Sequence, residues 1–92
     1  MSTLSPDDIE RRLPTVPGWT LAGHAIVKQY AFENFPDAVR FVDRLVPIAE
    51  AADHHPDIQI HYRHVTLTYS THSAGGLTDK DFDGALAVDG LI

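Results

Sequence analysis

Glu50-Ala51-Ala52-Asp53-His54-His55-Pro56-Asp57-Ile58-Gln59-Ile60-His61-Tyr62-Arg63-His64-Val65-Thr66-Leu67-Thr68-Tyr69-Ser70-Thr71-His72 is the stretch around which the rest of the chain is organised. Pro56 stops any helix that enters it and pushes His55 toward extended geometry. Beyond Pro56, Ile58, Ile60 and Tyr62 alternate with Gln59 and His61. Val65, Leu67 and Tyr69 then alternate with Thr66, Thr68 and Ser70. Two runs of period two, each with one apolar and one polar face, read as strands; the short link through Arg63 makes them a hairpin. If the second strand stays regular, His72 lies on its polar side near its end.

Working backwards, Asn34 caps a long helix over roughly Phe35–Asp53. Phe35, Ala38, Val39, Val42, Leu45, Val46, Ala49 and Ala52 recur at gaps of three and four and form one apolar stripe. Asp37, Arg40, Asp43 and Arg44 lie off it. Pro47 interrupts this helix, removes an amide donor and crowds the Asp43 carbonyl, so a kink is expected there. Upstream, Thr20–Leu21 and Ile26–Phe32 read as a second hairpin around Gly23-His24, with His24 solvated and idle. Ser5 reads as the N-cap of a short first helix, with Pro6 at its first position, Asp7 and Asp8 in its first turn, and Pro14 ending it. Pro14–Gly18 is a turn-rich loop leading to Trp19, which reads first as a core anchor. Downstream of the central stretch, Ser73–Gly76 is a turn. Thr78 then caps a last helix with Asp81 at the capping-box position; its apolar face is Phe82, Ala85 and Leu86, weakened by Gly84 and Gly90.

The element order is α-β-β-α-β-β-α. Two hairpins and few crossovers predict an α+β domain: a four-stranded antiparallel sheet with three helices packed on one face. Ninety-two residues, 1–92, make one domain. A formal charge of −6 argues against general binding of nucleic acid or anionic membranes. The absence of cysteine excludes disulfides, thiolate chemistry and Cys-type zinc sites. The N-terminal residues lack the basic and apolar segments of a signal peptide, and no apolar run approaches the ~20 residues of a membrane span. A cytoplasmic location is therefore expected.

Of the six histidines, only His24 lies outside the central stretch. Imidazole titrates near working pH, so a carboxylate, a His pair and a distant third His point to proton transfer or to a metal. Glu50 and His54 are four apart, so on one helix they share a face, and the carboxylate orients the ring. Glu50 sits in the last turn, where the helix dipole disfavours an anion, while His54 and His55 sit where it favours a cation. His61 and His64 read as exposed strand and turn residues. Three His and a carboxylate suit zinc, but adjacent His side chains diverge, and the i, i+4 pair here is Glu–His rather than His–His. Proton transfer is the favoured reading.

Glu50-x-x-x-His54-His55-Pro56-Asp57, Val65-x-Leu67, Thr71-His72, Gly76-Leu77-Thr78 and Asp81, with Gly18-Trp19, Phe32 and Phe35 upstream, resemble the signature of the pterin-4a-carbinolamine dehydratases. The resemblance covers nearly the whole chain from about Trp19. It implies a four-stranded antiparallel sheet with three helices, and homodimers or homotetramers that join sheets across subunits. It also implies loss of water from a 4a-hydroxytetrahydropterin to give a quinonoid dihydropterin, with no cofactor or metal. In the family this recycles the pterin of aromatic amino acid hydroxylases, a possible functional link here.

The resemblance places the catalytic histidines at His54, His55 and His72. Among them we assign His54 and His72 to proton transfer and His55 to positioning the pterin, with Glu50 orienting His54. The resemblance gives Asp81 and Trp19 substrate-binding places, although a helix-capping role is open to Asp81 and core packing to Trp19. The alternative is a non-catalytic module of the same fold. Animal members also serve as dimerisation cofactors of a homeodomain transcription factor, and degenerate relatives assist assembly of a carbon-fixing enzyme. Those degenerate forms lose site histidines, whereas this chain keeps all three.

Overall fold

The computed structural model describes residues 2–92. Ser5 caps the first helix, α1 (Pro6–Arg12): its side chain accepts from the Asp8 amide at 3.2 Å, and Pro6 stands at the first helical position. A 3₁₀ turn, Leu13–Thr15, leads to the hairpin of β1 (Thr20–Ala22) and β2 (Ala25–Ala31), turned at Gly23-His24. The Asn34 side chain accepts from the Asp37 amide at 2.9 Å and starts α2 (Phe35–Ala52). β3 (Asp57–His61) and β4 (His64–Tyr69) follow, then a 3₁₀ turn, His72–Ala74, and α3 (Asp79–Asp89). The expected order is the observed one. All pairings are antiparallel, and the sheet order is β1-β2-β4-β3, so the second hairpin docks through β4 onto β2 and leaves β3 at an edge.

The helices cover one face of this sheet. β4 is flanked on both sides and sends Val65, Leu67 and Tyr69 into the core, opposite Ile26 and Tyr30 of β2. Ile58 and Ile60 lie on the same face, registered against Leu67 and Val65, yet stay 37% and 39% exposed because the helix layer does not reach this edge. The other face carries Thr66, Thr68, Gln29, Gln59, His61 and His64, which follows from the alternation of side chains along each strand.

The core stripe of α2 is Ala38, Phe41, Leu45 and Ala49. This corrects the wider stripe read from the sequence. Phe41 was absent from it, yet its ring packs 4.7 Å from Tyr30 and 5.1 Å from Phe32, centroid to centroid. Phe35 and Val46 are instead about half exposed. α2 continues without a break through Pro47, which is itself exposed. The carbonyl that loses its donor is that of exposed Asp43, where water can replace the missing amide. On α3 the buried side is Asp81, Phe82, Gly84, Ala85 and Val88, while Leu86, expected inside, is 50% exposed. No helix among the described residues is long and apolar enough to cross a membrane.

Candidate active site

The end of α2 sets the geometry of the histidine pair. Asp53 adopts the left-handed conformation (φ 49°, ψ 42°). The His54 amide then donates to the Ala49 carbonyl at 3.1 Å and the Asp53 amide to the Glu50 carbonyl at 3.2 Å. This is a Schellman closure. It takes the chain off the helix axis at Asp53, so His54 is no longer a helical residue and does not stand over Glu50. The sequence expectation that Glu50 orients His54 is therefore corrected. Glu50 Oε2 instead meets His55 Nε2 at 2.5 Å, in a pair whose side chains are 55% (His55) and 69% (Glu50) exposed. Pro56, buried directly after, holds His55 in an extended segment.

His54 turns inward instead. Its Nε2 lies 2.6 Å from Oδ1 of Asp81, a carboxylate with no solvent exposure. The other oxygen, Oδ2, accepts the Thr71 hydroxyl at 2.8 Å and the Thr78 backbone N–H at 2.9 Å. The Thr71 and Thr78 hydroxyls are 2.8 Å apart; since Thr71 gives its proton to Asp81, Thr78 is the donor between them. Asp81 therefore serves at once as the capping-box acid of α3 and as the partner of His54. With Asp81 ionised, its oxygens can only accept, so His54 carries its proton on Nε2 and presents a lone pair at Nδ1. One face of the imidazole stacks on the Tyr69 ring, with centroids 5.7 Å apart and planes 19° apart.

His72 arrives differently from expectation. β4 ends at Tyr69, and Thr71 forms an isolated bridge with Gly76. His72 opens the following 3₁₀ turn as an exposed side chain with no hydrogen bond to another described residue. The turn nevertheless brings it to the pair: Asp53, His54, His55, Ser70, Thr71, His72, Ser73 and Lys80 line one open pocket of about 330 Å³. Asp81 stands behind His54 rather than on the pocket wall. Trp19 does not line it either. It is buried in the core, packs on Tyr69 with ring centroids 5.8 Å apart, and donates its Nε1–H to Asp89 Oδ2 at 3.1 Å. Thr71, Tyr69 and Lys80 were not singled out as site residues from the sequence. For Thr71 a signal existed in its place beside His72 and its spacing from Thr78, but the pairing depends on how β4 meets α3.

Burial, then the charge of Asp81, push the Tyr69 hydroxyl up to about 12. A larger groove of about 560 Å³ lies elsewhere, walled by Leu4, Ile9, Leu13, Leu21 and Leu77, with Glu10 and His24 as its titratable groups. It holds one imidazole against the three of the smaller pocket, so the smaller pocket is the better candidate. Among the described residues no group of three or more His, Asp or Glu is placed to hold a metal ion. What the smaller pocket offers is three imidazoles on one small volume, two of them backed by carboxylates, a constellation suited to moving protons.

A sequence profile described as pterin 4 alpha carbinolamine dehydratase matches residues 2–91. A relative from Roseiflexus castenholzii, provisionally named a pterin-4-alpha-carbinolamine dehydratase, is 51% identical over 89 residues, covering 97% of this chain and 96% of its own. A crystal structure from Brucella melitensis, described as a transcriptional coactivator/pterin dehydratase, superposes with a TM-score of 0.93 at 28% identity over 98% of both chains. A pterin dehydratase-like protein described as a RuBisCO assembly factor in the alpha-carboxysome superposes with a TM-score of 0.64 at 23% identity, over 79% of this chain and 84% of its own. At that identity the likeness speaks for the fold alone.

Proposed function

This chain belongs to the pterin 4 alpha carbinolamine dehydratase family, and we propose that it acts as a dehydratase, eliminating water from a 4a-hydroxytetrahydropterin to give the quinonoid dihydropterin. The observation that carries this reading is the convergence of His54, His55 and His72 on one pocket. The reaction breaks the C4a–O bond, removes the proton from N5 and forms the C4a–N5 double bond. The hydroxyl leaves as water once it receives a proton. An acid and a base on opposite sides of one ligand suffice, and such groups typically contribute ~10²–10⁴-fold.

His54 and His72 are the proton-transfer pair. Asp81 holds His54 Nε2–H and stabilises the imidazolium that forms when Nδ1 takes a proton. His72, exposed and without a protein partner among the described residues, exchanges protons with substrate and solvent. His55, steadied by Glu50, positions the pterin. Asp81 serves the substrate through His54, and Trp19 through the packing behind it. The same reading carries a cytoplasmic homodimer or homotetramer recycling a reduced pterin, a possible service to an aromatic amino acid hydroxylase. The open β3 edge with Ile58 and Ile60 is consistent with self-association.

Nuclear magnetic resonance mapping with 7,8-dihydrobiopterin, a stable analogue, tests the site. Saturable shifts should centre on His54, His55, His72 and Ser73. Shifts confined to the groove beside α1, or none at millimolar pterin, would sink the proposal.

A further inference from the structure

Around the Tyr69 ring the chain accepts two local costs that stability alone would remove. Gly84 sits in the interior of α3, where glycine is among the poorest residues. The Tyr69 hydroxyl is buried and has no hydrogen-bond partner among the described residues, although phenylalanine would fill the same place without an orphaned polar atom. Both converge on one contact. A Cβ built on Gly84 would lie 2.7 Å from Tyr69 Cζ, 2.8 Å from Cε1 and 2.9 Å from Oη. Only glycine lets the ring lie against α3, and the ring in that place stacks against His54.

The hydrogen bond to Asp81 fixes one atom of His54, Nε2. With Cβ held by the backbone as well, the imidazole can still rock about the line from Cβ to Nε2, which swings the direction of Nδ1. A flat surface against the ring removes this freedom. Tyr69 supplies it, nearly parallel at 19°, and is itself held by Trp19 on another side. We infer that Tyr69, seated by Gly84, is a positioning residue that fixes the imidazole plane of His54 and so aims its Nδ1. The inference rests on the reading of His54 as a proton-transfer group. It assigns Trp19 a place at the far end of a His54–Tyr69–Trp19 row of rings, tilted 47° to Tyr69, rather than in contact with substrate.

The test joins a spectroscopic reading, independent of any reaction, to the dehydration rate. In the wild type, Tyr69 and His54 ring protons should show nuclear Overhauser cross-peaks, and the ¹⁵N shifts of His54 should report a single tautomer with the proton on Nε2. Their absence would overturn the inference without any variant. Tyr69→Phe keeps the ring and should keep both signatures, with kcat within about threefold of wild type. Tyr69→Leu removes the flat surface, and Gly84→Ala displaces it. Each, folded at the assay temperature, should shift and broaden the His54 ring proton signals, as for a plane no longer fixed, while Asp81 keeps the proton on Nε2, and kcat should fall about tenfold or more, within the range that a positioned acid–base group supplies. Either variant, folded and with wild-type imidazole signals, would refute the positioning role. If no form, wild type included, accelerates dehydration, the dehydratase reading falls while the His54 ring proton signals still decide what Tyr69 does to His54.

Discussion

Replacing Asp81 by asparagine changes one atom in the most densely bonded part of the site, and its consequences can be worked out from the partners. Oδ2 receives the Thr78 N–H, a donor that cannot reverse, and the Thr71 hydroxyl. The amide oxygen of the substituted side chain must take that place, because an amide nitrogen there would face two donors. Its NH₂ group then points at His54 Nε2, which lies 2.6 Å from the replaced oxygen in the native site. That nitrogen can accept only if its proton moves to Nδ1, so the lone pair needed to take a proton is gone. The fold keeps its capping box but exchanges charge-assisted bonds for neutral ones, a loss of about 1–3 kcal/mol. The chemistry loses the contribution of a correctly protonated base, ~10²-fold or more. A thermal melt establishes that the variant is folded, ¹⁵N shifts of His54 report the tautomer, and the dehydration of freshly generated 4a-hydroxytetrahydropterin gives kcat. A folded Asp81→Asn protein with its proton still on Nε2, or with kcat within threefold of wild type, would refute the reasoning.

Three further outcomes follow from the same geometry. Glu50→Gln should alter the unfolding free energy by no more than about 0.5 kcal/mol, since the Glu50–His55 pair is exposed; steady-state kinetics should show KM for the pterin raised more than kcat is lowered, and the reverse split would move His55 from positioning to chemistry. Trp19→Phe loses the bond to Asp89 and part of the core, which should cost about 1–3 kcal/mol in urea unfolding while kcat at a temperature where the protein is folded stays near wild type. Alkali supplies the third: burial, then the Asp81 charge, raise Tyr69 from the ordinary 10 to about 12, and burial, then the bond to Asp89, raise Tyr30 further. Folding favours the protonated phenols, so their contribution is complete below pH 10; that of Tyr69 drains away as pH rises through 12, and that of Tyr30 goes on falling beyond it. Urea midpoints should therefore fall across that window, and Tyr69→Phe should flatten the fall.

The hairpins, helix caps and element order were legible because each depends on neighbours in sequence. Ser5, Asn34 and Thr78 mark helix starts by side-chain chemistry, and Pro56 marks a stop. The alternation of Val65, Leu67 and Tyr69 survives folding unchanged because β4 is flanked on both sides. Ile58 and Ile60 carry the same pattern at an edge, where no helix covers them, and the pattern alone cannot tell the two situations apart. Leu86 and Phe41 exchanged places with expectation because the contact stripe of a helix depends on the tilt of its partners, which periodicity does not contain.

The histidines were legible as a set, since residue type and clustering suffice to nominate them. Their pairing was not. The i, i+4 rule gives Glu50 to His54 only if the helix extends to His54, and a single left-handed residue, Asp53, cancels it. Asp81 reaches His54 across 27 positions of sequence, a relation set by the docking of α3 and invisible to spacing. Tyr69 was read correctly as core, and its contact with His54 emerges only once α3 closes over it at Gly84.

The central claim is that the three-histidine pocket performs the elimination, and the dehydration rate over buffer tests it most directly. The 4a-hydroxytetrahydropterin loses water slowly by itself, so wild type, His54→Ala and His72→Ala are measured against enzyme-free solution. His72 has no hydrogen bond to another described residue, so its replacement should leave the melting temperature unchanged. We expect a clear acceleration by wild type that collapses in both variants, by ~10²-fold or more in His54→Ala. A folded wild type that does no better than buffer, or a His54→Ala protein that keeps the full acceleration, would contradict it.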